Sequence, residues 1–165
     1  MTQPLVGIFR GSDSYLPVME KAVEVLREMG VSCEMDISSA HRLPDQIAEY
    51  ARTARQRGSE VLICGAGMAA HLTGVVASHT TLPVIGVPLK SGALNGVDAL
   101  YSTVMMPPGI PVATVAVDGA KNAAYLACST LSIKRPELAE KPEAFREKTR
   151  QGLMEKSREL KARIV

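Results

Sequence analysis

The sequence predicts a three-layer α/β/α sandwich with a central, parallel, five-stranded sheet and a C-terminal helical extension. Two patterns predict the layers and a third predicts where they are used. Five short apolar runs alternate with segments of helical periodicity, which argues for successive β–α units and a parallel sheet. The third run, EVLICGAG at 60–67, is apolar without alternation, as a strand covered on both faces is. Glycines and polar residues follow each of the first four runs, so they gather along one edge of the sheet, where ligands of such folds bind.

The elements read in order. LVGIF (5–9) is the first strand. The helix over 16–30 has Val18, Ala22, Val25, Leu26 and Met29 on one face, and Gly30 stops it. SCEMDI (32–37) is the second strand. Pro44 suits the first turn of a helix running to about Arg57, with Gly58 as its end. After the third strand, 69–80 reads as a short helix and PVIGVPL (83–89) as the fourth strand. A helix over 96–106 is stopped by Pro107 and Pro108. PVATVAV (111–117) is the fifth strand and 121–133 its helix. Pro136 and Pro142 open a last helical region with Phe145, Leu153, Leu160 and Ile164 along one side. Residues 1–133 are therefore expected to form one α/β domain. Residues 134–165 form an extension expected to pack on that domain or on a neighbouring subunit.

Composition narrows the function. A chain of 165 residues with 46% hydrophobic and 22% charged residues is an ordinary globular domain. It has no Trp, 2 Phe and 4 Tyr, too few rings for a protein that reads nucleic acid by stacking bases. The tail from residue 134 holds 10 Lys or Arg and 6 Asp or Glu. Their signs alternate at close spacing, which suits a solvated helix laced with ion pairs. Cys33, Cys64 and Cys128 are too far apart for metal-ligand spacing and suggest no disulfide framework. MTQPLVGIF lacks the basic and apolar regions of a signal peptide, and no 18-residue apolar run exists, so no membrane association and a cytoplasmic location are expected.

The chemistry is sought after each strand. Arg10, Gly11, Ser12, Asp13, Ser14 and Tyr15 follow the first. GSDS suits a phosphate through hydroxyls and backbone N–H groups; N-capping of the next helix is the competing account. The stretch SSAHRLPD (38–45) follows the second strand. Here His41 is a candidate general acid or base, since an imidazole exchanges protons near neutral pH. Arg42 beside it can fork onto a phosphate. A lone loop histidine is also compatible with a structural role; it is the adjacent anion clamp that favours catalysis. GAGMAA (65–70) matches G-x-G-x-x-A only superficially, because it follows the third strand and no acidic residue ends the next one to hold a ribose. A tight strand-to-helix turn close to a ligand is the better reading. His71 follows that turn, with backbone bonding at a helix start as its alternative; His79 reads as a surface residue. The three histidines lack a metal spacing. From the residues alone, the chain is an α/β domain that binds a small phosphorylated compound and moves a proton.

At these residues the chain resembles one family. GSDS, SSAHRLPD, GAGMAAHLTG, LPVIGVPL, ALNGVDALYSTVMMPPGIPVATVAV and AKNAAYLA are similar, in order and spacing over about 5–133, to the catalytic subunit of phosphoribosylaminoimidazole carboxylase from purine biosynthesis. The resemblance implies a flavodoxin-like fold. GAGMAAHL resembles the branch that moves a carboxyl group from N5 to C4 of carboxyaminoimidazole ribonucleotide, the mutase branch called class I PurE. The other branch joins free CO2 to aminoimidazole ribonucleotide.

The resemblance also implies roles. His41 would be the general acid and base at C4 of the imidazole. Arg42 and Ser12 would bind the phosphate and ribose, with Ser14, Tyr15 and Ser39 nearby. Gly67, Ala70, His71 and Leu72 would close over the imidazole and carboxylate. No metal and no organic cofactor are implied. A homo-oligomer, an octamer with shared sites, is implied, as is a functional link to an ATP-dependent carboxyaminoimidazole ribonucleotide synthetase that supplies the substrate. The chain departs from the family pattern at Tyr15, usually Asp; at Arg10, usually Met, which adds positive charge beside the phosphate loop; at Met68, usually Gly; and at Thr73, usually Pro. Tyr15 motivates one alternative, a paralogue that acts as a carboxylase or decarboxylase on aminoimidazole ribonucleotide, using CO2 directly, or on another ribonucleotide. A second alternative is a non-catalytic nucleotide-binding module gripping its ligand with GAGMAA.

Overall fold

The computed structural model describes residues 3–164. Five strands form one sheet: β1 (Val6–Arg10), β2 (Cys33–Ile37), β3 (Val61–Gly67), β4 (Val84–Leu89) and β5 (Ala113–Thr114). Their order is β2-β1-β3-β4-β5 and every pairing is parallel. The helices are α1 (Leu16–Met29), α2 (Pro44–Thr53), α3 (His71–Ser78), α4 (Val97–Val104), α5 (Ala120–Ser132) and α6 (Glu137–Ile164), with a 3-10 turn at Asp13–Tyr15. The predicted sandwich is the observed one.

The continuous apolar strands explain the three layers. In β3, Val61 and Ile63 face the layer of α1 and α5, where they meet Leu26, Ala123 and Leu131. Leu62 and Cys64 face the other layer, with Ile47 of α2 and Leu72 and Val76 of α3. Each such side chain, once buried, contributes about 1.5–3 kcal/mol. Tyr50 of α2 packs edge-on against Phe9 with ring centres 4.2 Å apart, while the Arg57 guanidinium covers its face at 3.7 Å. A side chain at Gly7 would strike the Tyr50 hydroxyl, so the glycine leaves the room that this ring needs. Burial, with the neighbouring Glu34 carboxylate second, pushes the Tyr50 hydroxyl up to about 12.

Three expectations need correction. The fifth strand pairs only over Ala113–Thr114, not 111–117. It lies at the sheet edge with β4 as its one neighbour, and the chain follows β4 further through single bonds from Val115 N–H to Gly86 O and from Asp118 N–H to Pro88 O. Pro142 does not open a helix; it lies inside α6, which starts at Glu137 after Pro136. The helix expected over 69–80 starts only at His71, because Met68 and Ala70 take left-handed backbone angles, φ 53° and 35°.

The start of α6 is fastened to the body. Arg135 forks onto Glu60 with N–O distances of 2.8 and 2.9 Å, Lys141 Nζ donates to Glu28 O at 3.2 Å, and Phe145 stacks on Tyr125 at 5.1 Å. Farther along, Leu153, Leu160 and Ile164 are exposed.

Candidate active site

The strand order creates the site. From β1 the chain passes to β2 on one side, and β3 then returns to the other side of β1. The loops after β1 and β3 therefore diverge, and a crevice opens between them at the carboxyl edge of the sheet. That crevice is a cleft of about 440 Å³.

Three loops line it. Gly11, Ser12 and Tyr15 come from the loop after β1. Ser39, His41 and Arg42 come from the loop after β2, ahead of Pro44 at the start of α2. Gly67, Ala70, His71 and Leu72 come from the turn between β3 and α3. Ser14 lies outside the lining, and its hydroxyl is 3.0 Å from that of Ser12. The residues singled out from sequence are thus brought together from three separate stretches. His79 is not among them.

His41 and His71 meet directly, with Nε2 of the first 2.5 Å from Nδ1 of the second. Their rings are edge to face, with centres 4.7 Å apart. His71 is therefore bonded through its side chain to another imidazole, not only placed at a helix start. Arg42 reaches back: its Nε donates to Ser39 Oγ at 3.4 Å and its Nη2 to Gly11 O at 3.3 Å. One guanidinium so ties the loops after β1 and β2. The floor is apolar, with Ala66, Ala70 and Leu72 all buried.

The β3 turn is strained where it meets the cleft. Met68 and Ala70, on either side of Ala69, hold left-handed conformations that cost side-chain-bearing residues about 1–2 kcal/mol each. Met68 N–H donates to Ser91 Oγ at 3.2 Å, which helps to hold the turn. A side chain at Gly67 would collide with the hydroxyls of both Tyr15 and Ser91.

The model of the AIR carboxylase family matches residues 5–152. The chain belongs to the AIR carboxylase family. A relative from Thermotoga maritima, named N5-carboxyaminoimidazole ribonucleotide mutase, is 56% identical over 157 residues, 95% of this chain and 92% of its own. A Pyrococcus abyssi relative with the same name is 62% identical over 144 residues, 87% of this chain and 83% of its own. Among solved structures, Treponema denticola PurE2-S38D superposes with a TM-score of 0.87 at 29% identity, covering 96% of this chain and 99% of that one.

In this member of the AIR carboxylase family, Ser91 supports the β3 turn from outside the cleft lining, a contact that sequence reasoning did not assign. It stands just after β4, in the position that marks the other loops, yet no neighbouring motif singles it out. Two further observations bound the chemistry. Burial raises the thiols of Cys33, Cys64 and Cys128, so none is poised as a nucleophile. A larger cavity, about 710 Å³, lies at the opposite edge of the sheet beside Arg52, Arg55 and His79. It sits where α2 and α3 end, and cations there offset the partial negative charge of helix C-termini, so its arginines have a structural account.

Proposed function

We propose that this protein is an N5-carboxyaminoimidazole ribonucleotide mutase, moving the carboxyl group from N5 to C4 of the imidazole. The observation that carries the reading is the His41–His71 pair on the wall of a cleft with an apolar floor. The names of the relatives support it independently.

In this reading the bond from N5 to the carboxyl group breaks as N5 takes a proton from His41, leaving CO2 and the 5-amino group. C4 then forms its bond to the same CO2, and His41 takes the proton that leaves C4. In sum, one proton passes from C4 to N5. Ser12 and Arg42 bind phosphate and ribose, with Ser14, Tyr15 and Ser39 beside them. Gly67, Ala70, His71 and Leu72 cover the imidazole and the carboxylate. Escape of CO2 would end the reaction, so water and open solvent must be kept from the pocket; buried Ala70 and Leu72 suit that need.

The reading extends to the assembly. Residues 134–165 act as an extension, and the exposed apolar residues of distal α6 pack against another copy of the chain in a homo-octamer with shared sites. The protein works in the cytoplasm, downstream of an ATP-dependent carboxyaminoimidazole ribonucleotide synthetase, and needs neither metal nor organic cofactor.

A paired assay tests the function. One reaction receives the N5-carboxylated ribonucleotide, the other aminoimidazole ribonucleotide with high bicarbonate, and each is repeated with His41→Asn. Fast conversion of the first alone, lost in the variant, is expected. Conversion of the second alone would make this protein a direct carboxylase, and silence in both would point through Tyr15 to another ribonucleotide.

A further inference from the structure

Arg10 is 7% exposed, and no carboxylate among the described residues pairs with it. Its Nη1 donates to Ser12 O at 3.3 Å and to Asp13 O at 3.0 Å, while its Nε has no partner. A buried guanidinium with no salt bridge is costly unless something nearby answers its charge, and the one carboxylate that feels Arg10, that of Asp13, is bonded to Ser12 and Ser14 instead. Nothing in the fold requires that cost, because Val6 and Ile8 on the same face of β1 are apolar and well packed.

The backbone shows what the guanidinium does. Gly11 O is held by Arg42, and Ser12 O and Asp13 O are held by Arg10, so three consecutive carbonyls point at two cations. No cis peptide is present among the described residues. In a planar trans peptide the next N–H points opposite to the carbonyl. The N–H groups of Asp13 and Ser14 are therefore turned away from Arg10, to the outer side of the loop. Ser14 N–H and the Ser12 hydroxyl there both donate to Asp13 Oδ1, each at 3.0 Å. These donors already hold an anionic oxygen, and the Ser12 bond is the main reason the Asp13 carboxyl lies below its ordinary range.

We infer that Arg10 is a positioning residue for the phosphate of the substrate: it locks the 11–14 loop with its donors outward, and its buried charge stands behind them as a fixed counter-charge. This rests on the reading that the substrate is a ribonucleotide bound at Ser12 and Arg42. The phosphate displaces the Asp13 carboxylate from Ser12 and Ser14. Arg10 touches no reacting atom.

Ribose 5-phosphate and ribose serve as probes, titrated calorimetrically against the full chain, Arg10→Met and Arg10→Lys, alongside steady-state kinetics with the N5-carboxylated ribonucleotide. The wild type binds ribose 5-phosphate. Arg10→Met weakens that binding about tenfold, the scale of one lost charge-assisted interaction, and Arg10→Lys, which keeps the charge but not the guanidinium, lies between. The kinetic loss falls mainly on KM and not on kcat, and ribose shows no difference among the three proteins. Equal affinity of wild type and Arg10→Lys for ribose 5-phosphate overturns the inference if Arg10→Met does not fold. Equal affinity of all three overturns it outright, as does a wild type that does not bind ribose 5-phosphate. If the wild type binds ribose 5-phosphate through Arg10 but converts no carboxyaminoimidazole ribonucleotide, the proposed function falls and this inference stands.

Discussion

Nε2 of His41 and Nδ1 of His71 are 2.5 Å apart, although 30 residues separate them in the chain. Only one of the two facing nitrogens can carry the hydrogen of that bond, so the tautomer of one ring fixes that of the other. The contact also joins the loop after β2 to the first residue of α3. Replacing His41 by Asn removes the proton carrier, and kcat should fall by about 10²–10⁴. Replacing His71 by Asn removes the ring that orients it, and a fall of about tenfold in kcat is expected. Steady-state kinetics of both variants measures the two losses; a His71→Asn enzyme with wild-type kcat would separate His71 from the proton transfer.

Gly67→Ala should damage the site and the fold together. The new methyl group would collide with the Tyr15 and Ser91 hydroxyls, and overpacking of this kind costs about 1–3 kcal/mol. Adding Tyr15→Ala opens room on one side, so the double variant should regain part of the lost stability, a coupling that urea unfolding of the four proteins in the cycle measures.

Met68→Gly should stabilise the chain. Met68 is 58% exposed and has φ 53°, so the glycine relieves backbone strain without removing a core side chain. A gain of about 0.5–1 kcal/mol is expected after the extra freedom of glycine in the unfolded chain is counted. A rise in Tm by calorimetry checks it.

The Glu60–Arg135 pair gives a pH signature. The hydrogen bonds from Arg135 hold the Glu60 carboxyl below its ordinary range. A carboxyl depressed in the folded state stabilises the protein above its unfolded pKa, and that stability is lost as pH falls through the folded value. The two side chains are 27% and 31% exposed, so the pair contributes no more than about 1 kcal/mol. Glu60→Gln should be less stable than wild type near pH 7, and the two should converge well below pH 4.5 in urea unfolding at each pH.

The strands and the cleft loops were legible for the same reason. Buried parallel strands read as unbroken apolar runs, and LVGIF, EVLICGAG and PVIGVPL each fall silent at the sheet edge where polar residues begin. The shortness of the fifth strand was not legible, because its apolar run reports burial while the extent of its pairing depends on a single edge neighbour. His41 and Arg42 stood out by type and position. The contacts that assemble the site did not: the bond between His41 and His71, the Ser91 contact with Met68 and the grip of Arg42 on Gly11 all cross between loops far apart in sequence. Arg10 looked like charge added beside the loop. Its burial beneath that loop depends on the face of β1 on which it falls, which composition does not disclose.

The central claim is that one carboxyl group moves within a closed cleft. It is tested most directly by running the N5-carboxylated ribonucleotide, unlabelled, in ¹³C-bicarbonate and measuring the isotope in the C4-carboxylated product early in turnover. The account predicts a product almost free of label, because the CO2 released is the CO2 captured. A product labelled to the level of the surrounding bicarbonate would contradict it.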